Sequence, residues 1–317
     1  MSEDIVLVIG ANGQLGSVLI KELQKIHGIT NVIASDVYLD PNFEGVFELL
    51  DATDMTSIRT IIKKYSVTQI YQLAAILSAK GEQHPLETWE LNIKMMLNVF
   101  EVSRNSTVNK VFLPSSIAVY GTKAPLQNSP QSAFLNPATV YGISKAAGEN
   151  WAQYYFNKYD LDIRSIRYPG VIGYQSMPGG GTTDYAVDIY HSAVKRENYK
   201  CFLKADTKLP MVFMEDAIRA TIELMQTPKE NIKTRTSYNL GSMSLNPSEI
   251  YEAIKKQYPS FKIEYQPDFR QVIADNWPKS IDDKEARNDW GWEPKFNLKS
   301  MTGTMLEKLE QKYNKTI

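Results

Sequence analysis

Cysteine and histidine are scarce in this chain, which has one cysteine, Cys201, and three histidines, His27, His84 and His191, in 317 residues. No two histidines are spaced as a pair on one helix face, so the ligand set of a structural or catalytic zinc is missing. A lone thiol fits a reducing compartment, and Cys201 is expected as a small buried hydrophobe. Long apolar runs are absent too. No stretch approaches the roughly 18 to 20 consecutive apolar residues of a membrane-spanning helix. The charged Ser2-Glu3-Asp4 leads into the apolar Ile5–Ile9 without a basic start or cleavage pattern, so no secretion signal is expected and the compartment expected is the cytoplasm. Nor does either sign of charge dominate: 35 Lys plus Arg face 36 Asp plus Glu. Nucleic acid and anionic membranes are therefore not expected as partners.

What is present suffices for a large core, with 43% hydrophobic residues over a length that suggests two lobes. Short β-branched runs alternate with helical patterns through the first half, which predicts a doubly wound parallel α/β sheet of the Rossmann type. Strands are expected at Ile5–Gly10, Asn31–Ser35, Val46–Leu50, Gln69–Ala74, Lys110–Ser115 and Asp162–Tyr168. Leu15, Val18, Leu19, Leu23 and Ile26 recur at helical spacing between the first two, with Gly28 as the stop. Further helices are expected at Asp54–Tyr65, Pro85–Arg104 and Tyr141–Tyr159. Pro169-Gly170, Pro178 and Gly179-Gly180-Gly181 then punctuate the chain. The reading is a cofactor-binding domain over 1–168 and a smaller, mainly substrate-binding lobe over 169–317, with a strand near 238–240 returning to the main sheet. Helices are expected in that lobe at Asp184–Lys195, Glu215–Met225 and Pro247–Tyr258.

The first strand ends in Gly10-Ala11-Asn12-Gly13-Gln14-Leu15-Gly16. Glycines at these places permit a tight turn and let backbone amides meet a pyrophosphate at the helix start. An acid, Asp36, closes the second strand 20 residues after Gly16. Its carboxylate can accept both ribose hydroxyls and would repel a 2′-phosphate, so NAD is the expected cofactor. Asp51-Ala52 at the third strand end and Leu73-Ala74-Ala75 at the fourth are read as further cofactor contacts, or as ordinary strand-end turns. Tyr168, ending the sixth strand, is counted with them.

Oxidising an alcohol by hydride loss needs a base for the hydroxyl proton and a donor that holds the oxygen. Tyr141 and Lys145 stand one helical turn apart, and a nearby ammonium favours phenolate. The spacing alone is weak, because Tyr-x-x-x-Lys occurs four times among 18 tyrosines. Context separates this pair: Tyr141 opens its helix 25 residues beyond Ser116, which ends the fifth strand, where ligands of such sheets gather.

In Gly10/Gly13/Gly16, Asp36, Leu73-Ala74-Ala75, Asn92, Ser116 and Tyr141/Lys145 the chain resembles the short-chain dehydrogenase/reductase superfamily, in its extended branch of sugar-nucleotide epimerases. The likeness runs on to Asp289-Trp290-Gly291-Trp292-Glu293-Pro294. It implies Tyr141 as acid/base, Lys145 tuning it and binding the nicotinamide ribose, Ser116 on the substrate oxygen, and Asn92 supporting a proton relay. It also implies a homodimer through the helices at Pro85–Arg104 and Tyr141–Tyr159.

Epimerases of this branch usually carry Arg-x-x-Asn-Val-x-Gly-Pro after the sixth strand. Arg167-Tyr168-Pro169-Gly170-Val171-Ile172-Gly173-Tyr174 lacks the asparagine and the last proline, which argues against a sugar nucleotide. Three glycines running into Thr182-Thr183-Asp184 expose amides and hydroxyls suited to a carboxylate, while Asp184 suits an ammonium. A small zwitterion fits that arrangement; a flexible loop with a threonine cap is the plain alternative. The run resembles the short-chain family of L-threonine 3-dehydrogenases. That resemblance implies Ser78, Thr182 and Thr183 as substrate contacts, metal-free chemistry and 2-amino-3-oxobutyrate as product; Gly181 and Asp184 of the same loop are counted as substrate contacts beside them. A UDP-sugar 4-epimerase and a non-catalytic NAD-sensing module are the competing readings.

Overall fold

A computed structural model describes residues 4–314, so Ser2 and Glu3 of the charged start lie outside the described residues. The first half holds strands β1 (Val6–Ile9), β2 (Val32–Asp36), β3 (Val46–Leu49), β4 (Gln69–Gln72), β5 (Lys110–Ser116) and β6 (Asp162–Tyr168). Between them run helices α1 (Gly16–His27), α2 (Met55–Tyr65), α3 (Ser78–Gly81), α4 (Pro85–Ser103) and α5 (Val140–Tyr159). The second half continues with β7 (Gly170–Ile172), α6 (Tyr185–Val194), β8 (Tyr199–Cys201), β9 (Leu209–Phe213), α7 (Met214–Gln226), β10 (Tyr238–Asn239) and β11 (Met243–Leu245). Then come α8 (Pro247–Lys255), β12 (Ile263–Tyr265), α9 (Phe269–Asp275), α10 (Lys284–Trp290) and α11 (Leu298–Asn314).

Seven parallel strands form the main sheet in the order β10-β6-β5-β4-β1-β2-β3. The fold class read from the alternating pattern is the one observed. Its strands are apolar at successive positions because both faces are covered. Leu7, Ile9, Ile33, Ile70 and Val111 pack with residues of α2, α4 and α5, while Val6, Val8, Val32 and Ala34 pack with α1 and α7. Each fully buried aliphatic contributes roughly 1.5–3 kcal/mol. The strand order reverses between β1 and β4, and a crevice opens there at the carboxyl ends of the strands.

The strand read as Ile5–Gly10 stops at Ile9 because Gly10 turns the chain at φ 88°. Helix starts follow local chemistry. Asp54 accepts from the Thr56 and Ser57 amides at 2.9 and 3.3 Å, Pro85 occupies the first turn of α4, and Asn246 with Glu249 forms a capping box on α8. A third core joins α6, α8 and α11 through Ile189, Ile250, Met301, Met305 and Leu309. The sequence reading did not anticipate α9 to α11, or the three-stranded sheet β11-β9-β7 and the pair β12-β8. The run around Trp290 proves structural: Gly291 ends α10 at φ 74°, and the buried Trp292 donates its indole N–H to the Gly241 carbonyl at 2.8 Å. Cys201 is fully buried, which pushes its thiol up to about 11. No helix among the described residues is long and apolar enough to cross a membrane.

Candidate active site

The turn from β1 into α1 crosses the crevice. A side chain at Gly10 would meet the Ala74 amide nitrogen at 2.7 Å, so only glycine lets the turn lie against the end of β4. The Gly13 amide donates to the Gly10 carbonyl at 3.2 Å and the Ser17 amide to the Gly13 carbonyl at 3.0 Å. The Gln14 and Leu15 amides between them have no backbone acceptor among the described residues. Open amides at a helix start, with the helix dipole behind them, suit an anion. Gln14 and Leu15 both border the cleft. Asp36 is held still at the end of β2, its two carboxylate oxygens accepting from the Asn12 and Val37 amides at 2.9 and 2.8 Å. Lone pairs remain on it for hydroxyl groups.

The remaining expected cofactor positions divide. Leu73 and Ala75 border the cleft, with Ala74 packed under Gly10 between them. Asp51 closes a turn by accepting the Thr53 amide at 2.8 Å, and the buried Ala52 accepts from the Asn98 side chain at 3.1 Å. Tyr168 borders the cleft, yet its hydroxyl is bonded to Thr221 in the core and burial pushes the phenol up. The side chain of Asn92 is not brought to the cleft. Its oxygen accepts the Ile76 amide at 2.8 Å, and its NH2 donates to the Ile76 carbonyl at 3.1 Å and to Ser144 Oγ at 3.4 Å. An amide so committed ties α4 to the loop after β4; it has no donor left for a relay.

Ser116, Tyr141 and Lys145 do converge. Ser116 ends β5 and accepts the Ala118 amide on its Oγ at 3.2 Å, capping the 3-10 turn at Ile117–Val119. Thr139 caps α5 through the Gly142 amide at 3.1 Å, which puts Tyr141 in the helix's first turn. The two elements can touch because Gly142 has no Cβ; one there would collide with the Ala118 carbonyl. Ser116 and Tyr141 both border the cleft, and the serine hydroxyl lies near enough to the phenol to favour its ionised form. Lys145 Nζ donates to the Pro114 carbonyl at 2.7 Å and lies 5.5 Å from the centre of the Tyr141 ring.

Burial dominates the electrostatics of this trio. It pushes the Tyr141 phenol up to about 12, against a downward pull from the nearby Ser116 hydroxyl, and the Lys145 ammonium down to about 8. The expectation that the ammonium holds the phenol below its free value is therefore corrected. Lys145 directs its hydrogen bond at the Pro114 carbonyl, and desolvation of the Tyr141 hydroxyl is the larger influence on it.

Gly181, Thr182, Thr183 and Asp184 border the same cleft from the segment between β7 and α6, and the buried Ser78 borders it from the start of α3. One expectation for this loop fails. Its glycine amides are not open: the Gly180 and Gly181 N–H groups each donate to Asp184 Oδ2 at 2.7 Å, so the loop closes on its own carboxylate. Burial pushes the Asp184 carboxyl up while those amides pull it down. Thr182 is only 1% exposed and its hydroxyl has no hydrogen-bond partner among the described residues. Such a hydroxyl costs about 1–3 kcal/mol unless something satisfies it. Trp277, just beyond α9, also borders the cleft, as do Leu77 and Pro114. Sequence reasoning missed all three. An isolated tryptophan far downstream carries no motif, and only the Pro114-Ser115-Ser116 strand end offered a signal for Pro114.

The chain is similar along most of its length to known proteins. Residues 6–241 match the model of the NAD-dependent epimerase/dehydratase family. An uncharacterised epimerase/dehydratase of Staphylococcus aureus (strain MRSA252) is 42% identical over 312 residues, covering 97% of each chain. A GalE-like L-threonine dehydrogenase from Cupriavidus necator, in its holo form, is 50% identical and superposes with a TM-score of 0.94 over 96% of this chain and 99% of that one. The L-threonine dehydrogenase from Clostridium difficile is 41% identical, with a TM-score of 0.95 over 98% of this chain and 99% of that one.

Proposed function

The chain belongs to the NAD-dependent epimerase/dehydratase family, and on that premise we propose that it oxidises the β-hydroxyl of L-threonine, giving 2-amino-3-oxobutyrate and NADH. One observation carries the reading: Ser116, Tyr141 and Lys145 share a cleft with the buried, unpartnered Thr182 hydroxyl and with the Asp184 carboxylate. An alcohol with a carboxylate and an ammonium beside it suits those groups together; a sugar nucleotide has no ammonium for Asp184 to face.

The Gln14 and Leu15 amides would hold the pyrophosphate of NAD, Asp36 the adenosine ribose, and Lys145 the nicotinamide ribose. When bound, NAD supplies the hydride acceptor and the positive charge of its ring. Ser116 then holds the substrate oxygen, and Tyr141 as phenolate takes the hydroxyl proton as the C–H bond breaks. The Lys145 ammonium favours that phenolate while it stays protonated. Thr182 donates to the substrate carboxylate, and Asp184 faces the ammonium. The protein needs no metal for these roles, because the charge that develops on oxygen is met by hydroxyl donors.

The test is an absorbance assay for net NADH. L-threonine should give NADH in proportion to time and enzyme, and UDP-glucose none. Epimerised UDP-glucose without net NADH, with L-threonine inert, would overturn the proposal in favour of the epimerase reading. We also propose a homodimer through α4 and α5, where Leu86, Trp89, Trp151 and Tyr154 are exposed; a monomer in sedimentation at micromolar concentration counts against it.

A further inference from the structure

A buried ion pair lies directly behind the strand end that carries Ser116. Glu149 stands one helical turn beyond Lys145 on α5, and Arg167 lies opposite Ser115 in the β5–β6 register. Arg167 donates Nε to Glu149 Oε1 at 2.9 Å and Nη2 to Oε2 at 2.7 Å, with the two side chains 4% and 1% exposed. Its Nη1 donates to the Tyr120 hydroxyl at 2.8 Å and the Gln131 carbonyl at 3.0 Å, and Tyr120 donates on to Asn239 Oδ1 at 2.5 Å. The remaining connection runs toward the cleft: Ser115 Oγ donates to Glu149 Oε1 at 2.6 Å.

Burying such a pair is poor economy if stability is the aim, because apolar residues of similar volume are often as stable. What the pair adds is direction. Helix α5 grips the Pro114-Ser115-Ser116 strand end at two points, Lys145 on the Pro114 carbonyl and Glu149 on the Ser115 hydroxyl. The residues between and beside those grips are the ones that must be placed: Ser116, which shares the cleft with Tyr141, and the carbonyl that orients Lys145. Arg167 fixes both carboxylate oxygens, so Glu149 cannot swing away from Ser115.

We propose that Ser115, Glu149 and Arg167 form a positioning device that sets the distance between Ser116 and Tyr141 and aims Lys145. This rests on the roles proposed above for Ser116, Tyr141 and Lys145, and a displacement of about 1 Å among such groups can cost a hundredfold in rate.

The sharpest lever is Ser115→Ala, which cuts the link to the strand end and leaves the ion pair whole. In the full chain with NAD, it should lower kcat about tenfold while KM for NAD moves by less than about twofold. Without substrate or cofactor, amide hydrogen exchange in the peptide spanning 113–119 should quicken about tenfold with the thermal midpoint nearly kept. Ser115→Thr, which restores the hydroxyl, should recover most of both. Glu149→Gln leaves the Arg167 cation unpaired and should lower the thermal midpoint as well. The idea is overturned if Ser115→Ala matches the parent in exchange and turnover, or if it loses turnover with exchange unchanged and no rescue by threonine. The exchange measurement needs no substrate, so it stands even if L-threonine proves not to be the alcohol oxidised.

Discussion

The two ends of the cleft are built by different means. At the proposed cofactor end, residues 6–36 form one contiguous βαβ unit, and the groups it offers are backbone amides plus a carboxylate pinned by two more amides. At the substrate end, Ser78, Ser116, Tyr141, Thr182 and Trp277 arrive from five separate stretches of chain, and the loop carrying Thr182 is closed by its own Asp184. Backbone groups set by a turn are hard to displace by exchanging a distant side chain. Side chains converging through packing are easy to displace. Substrate choice can therefore change within this scaffold while the cofactor end stays as it is.

Variants can sharpen or break that contrast. The largest effect is expected at the point where the two ends meet: Tyr141→Phe should lower kcat by ~10² to 10⁴-fold, with NADH binding, read by fluorescence, largely kept. Near-normal turnover in that variant would remove Tyr141 from the chemistry. Next comes pH. The phenol, pushed up to about 12, is protonated at neutrality, so its base form grows about tenfold per pH unit below its titration. Turnover should climb from pH 7 toward 8, and Lys145→Met should lower it across that range because the ammonium that favours phenolate is gone. Lys145 itself loses its proton through about 8, so the climb should flatten above that. A flat profile across the range, with a primary deuterium isotope effect showing that hydride transfer limits, would count against tyrosine as the titrating base.

The next pair separates the two ends directly. Asp36→Ala should weaken NAD binding by roughly ten- to a hundredfold, the worth of a charged hydrogen-bond acceptor, and leave KM for threonine at saturating NAD unchanged. Asp184→Asn keeps an oxygen for the Gly180 and Gly181 amides and removes only the charge. It should raise KM for threonine by roughly ten- to a hundredfold with NAD affinity intact. If either variant moves both affinities equally, the ends are not independent. The smallest effect has two opposite signs: Thr182→Val should raise KM for threonine roughly threefold to tenfold while stabilising the fold by about 1 kcal/mol, since an unsatisfied buried hydroxyl is removed. Loss of stability in thermal melts would mean that Thr182 has a structural partner.

Legibility in the sequence followed the same division. The parallel sheet, the Gly10–Gly16 turn and Asp36 were readable because strand burial, glycine turns and helix starts are local, with causes a few residues away. Ser116, Tyr141 and Lys145 were readable by position, since a strand end and a helix start must lie at one edge of such a sheet. Asn92 was misplaced because its sequence neighbourhood is silent about Ile76, which takes both ends of its amide. The glycine loop looks open in the sequence because nothing local shows that Asp184 folds back onto the Gly180 and Gly181 amides. For α11 the signal was present in the spacing of Met301, Met305 and Leu309, which all reach one core.

By itself the sequence determined the doubly wound sheet, the strand edge where the crevice opens, the acid that closes β2, and the one Tyr-Lys pair of four that stands at that edge. These follow from periodicity and from turn chemistry, which act over a few residues. The tertiary structure alone decided how Gly142 lets Tyr141 reach Ser116, which way the Asn92 amide faces, and that burial moves Tyr141 and Lys145 in opposite directions. It also brought Trp277 to the cleft and set Glu149 and Arg167 behind it. Each of those depends on a neighbour far away in the chain, and desolvation and close contact exist only once that neighbour has arrived.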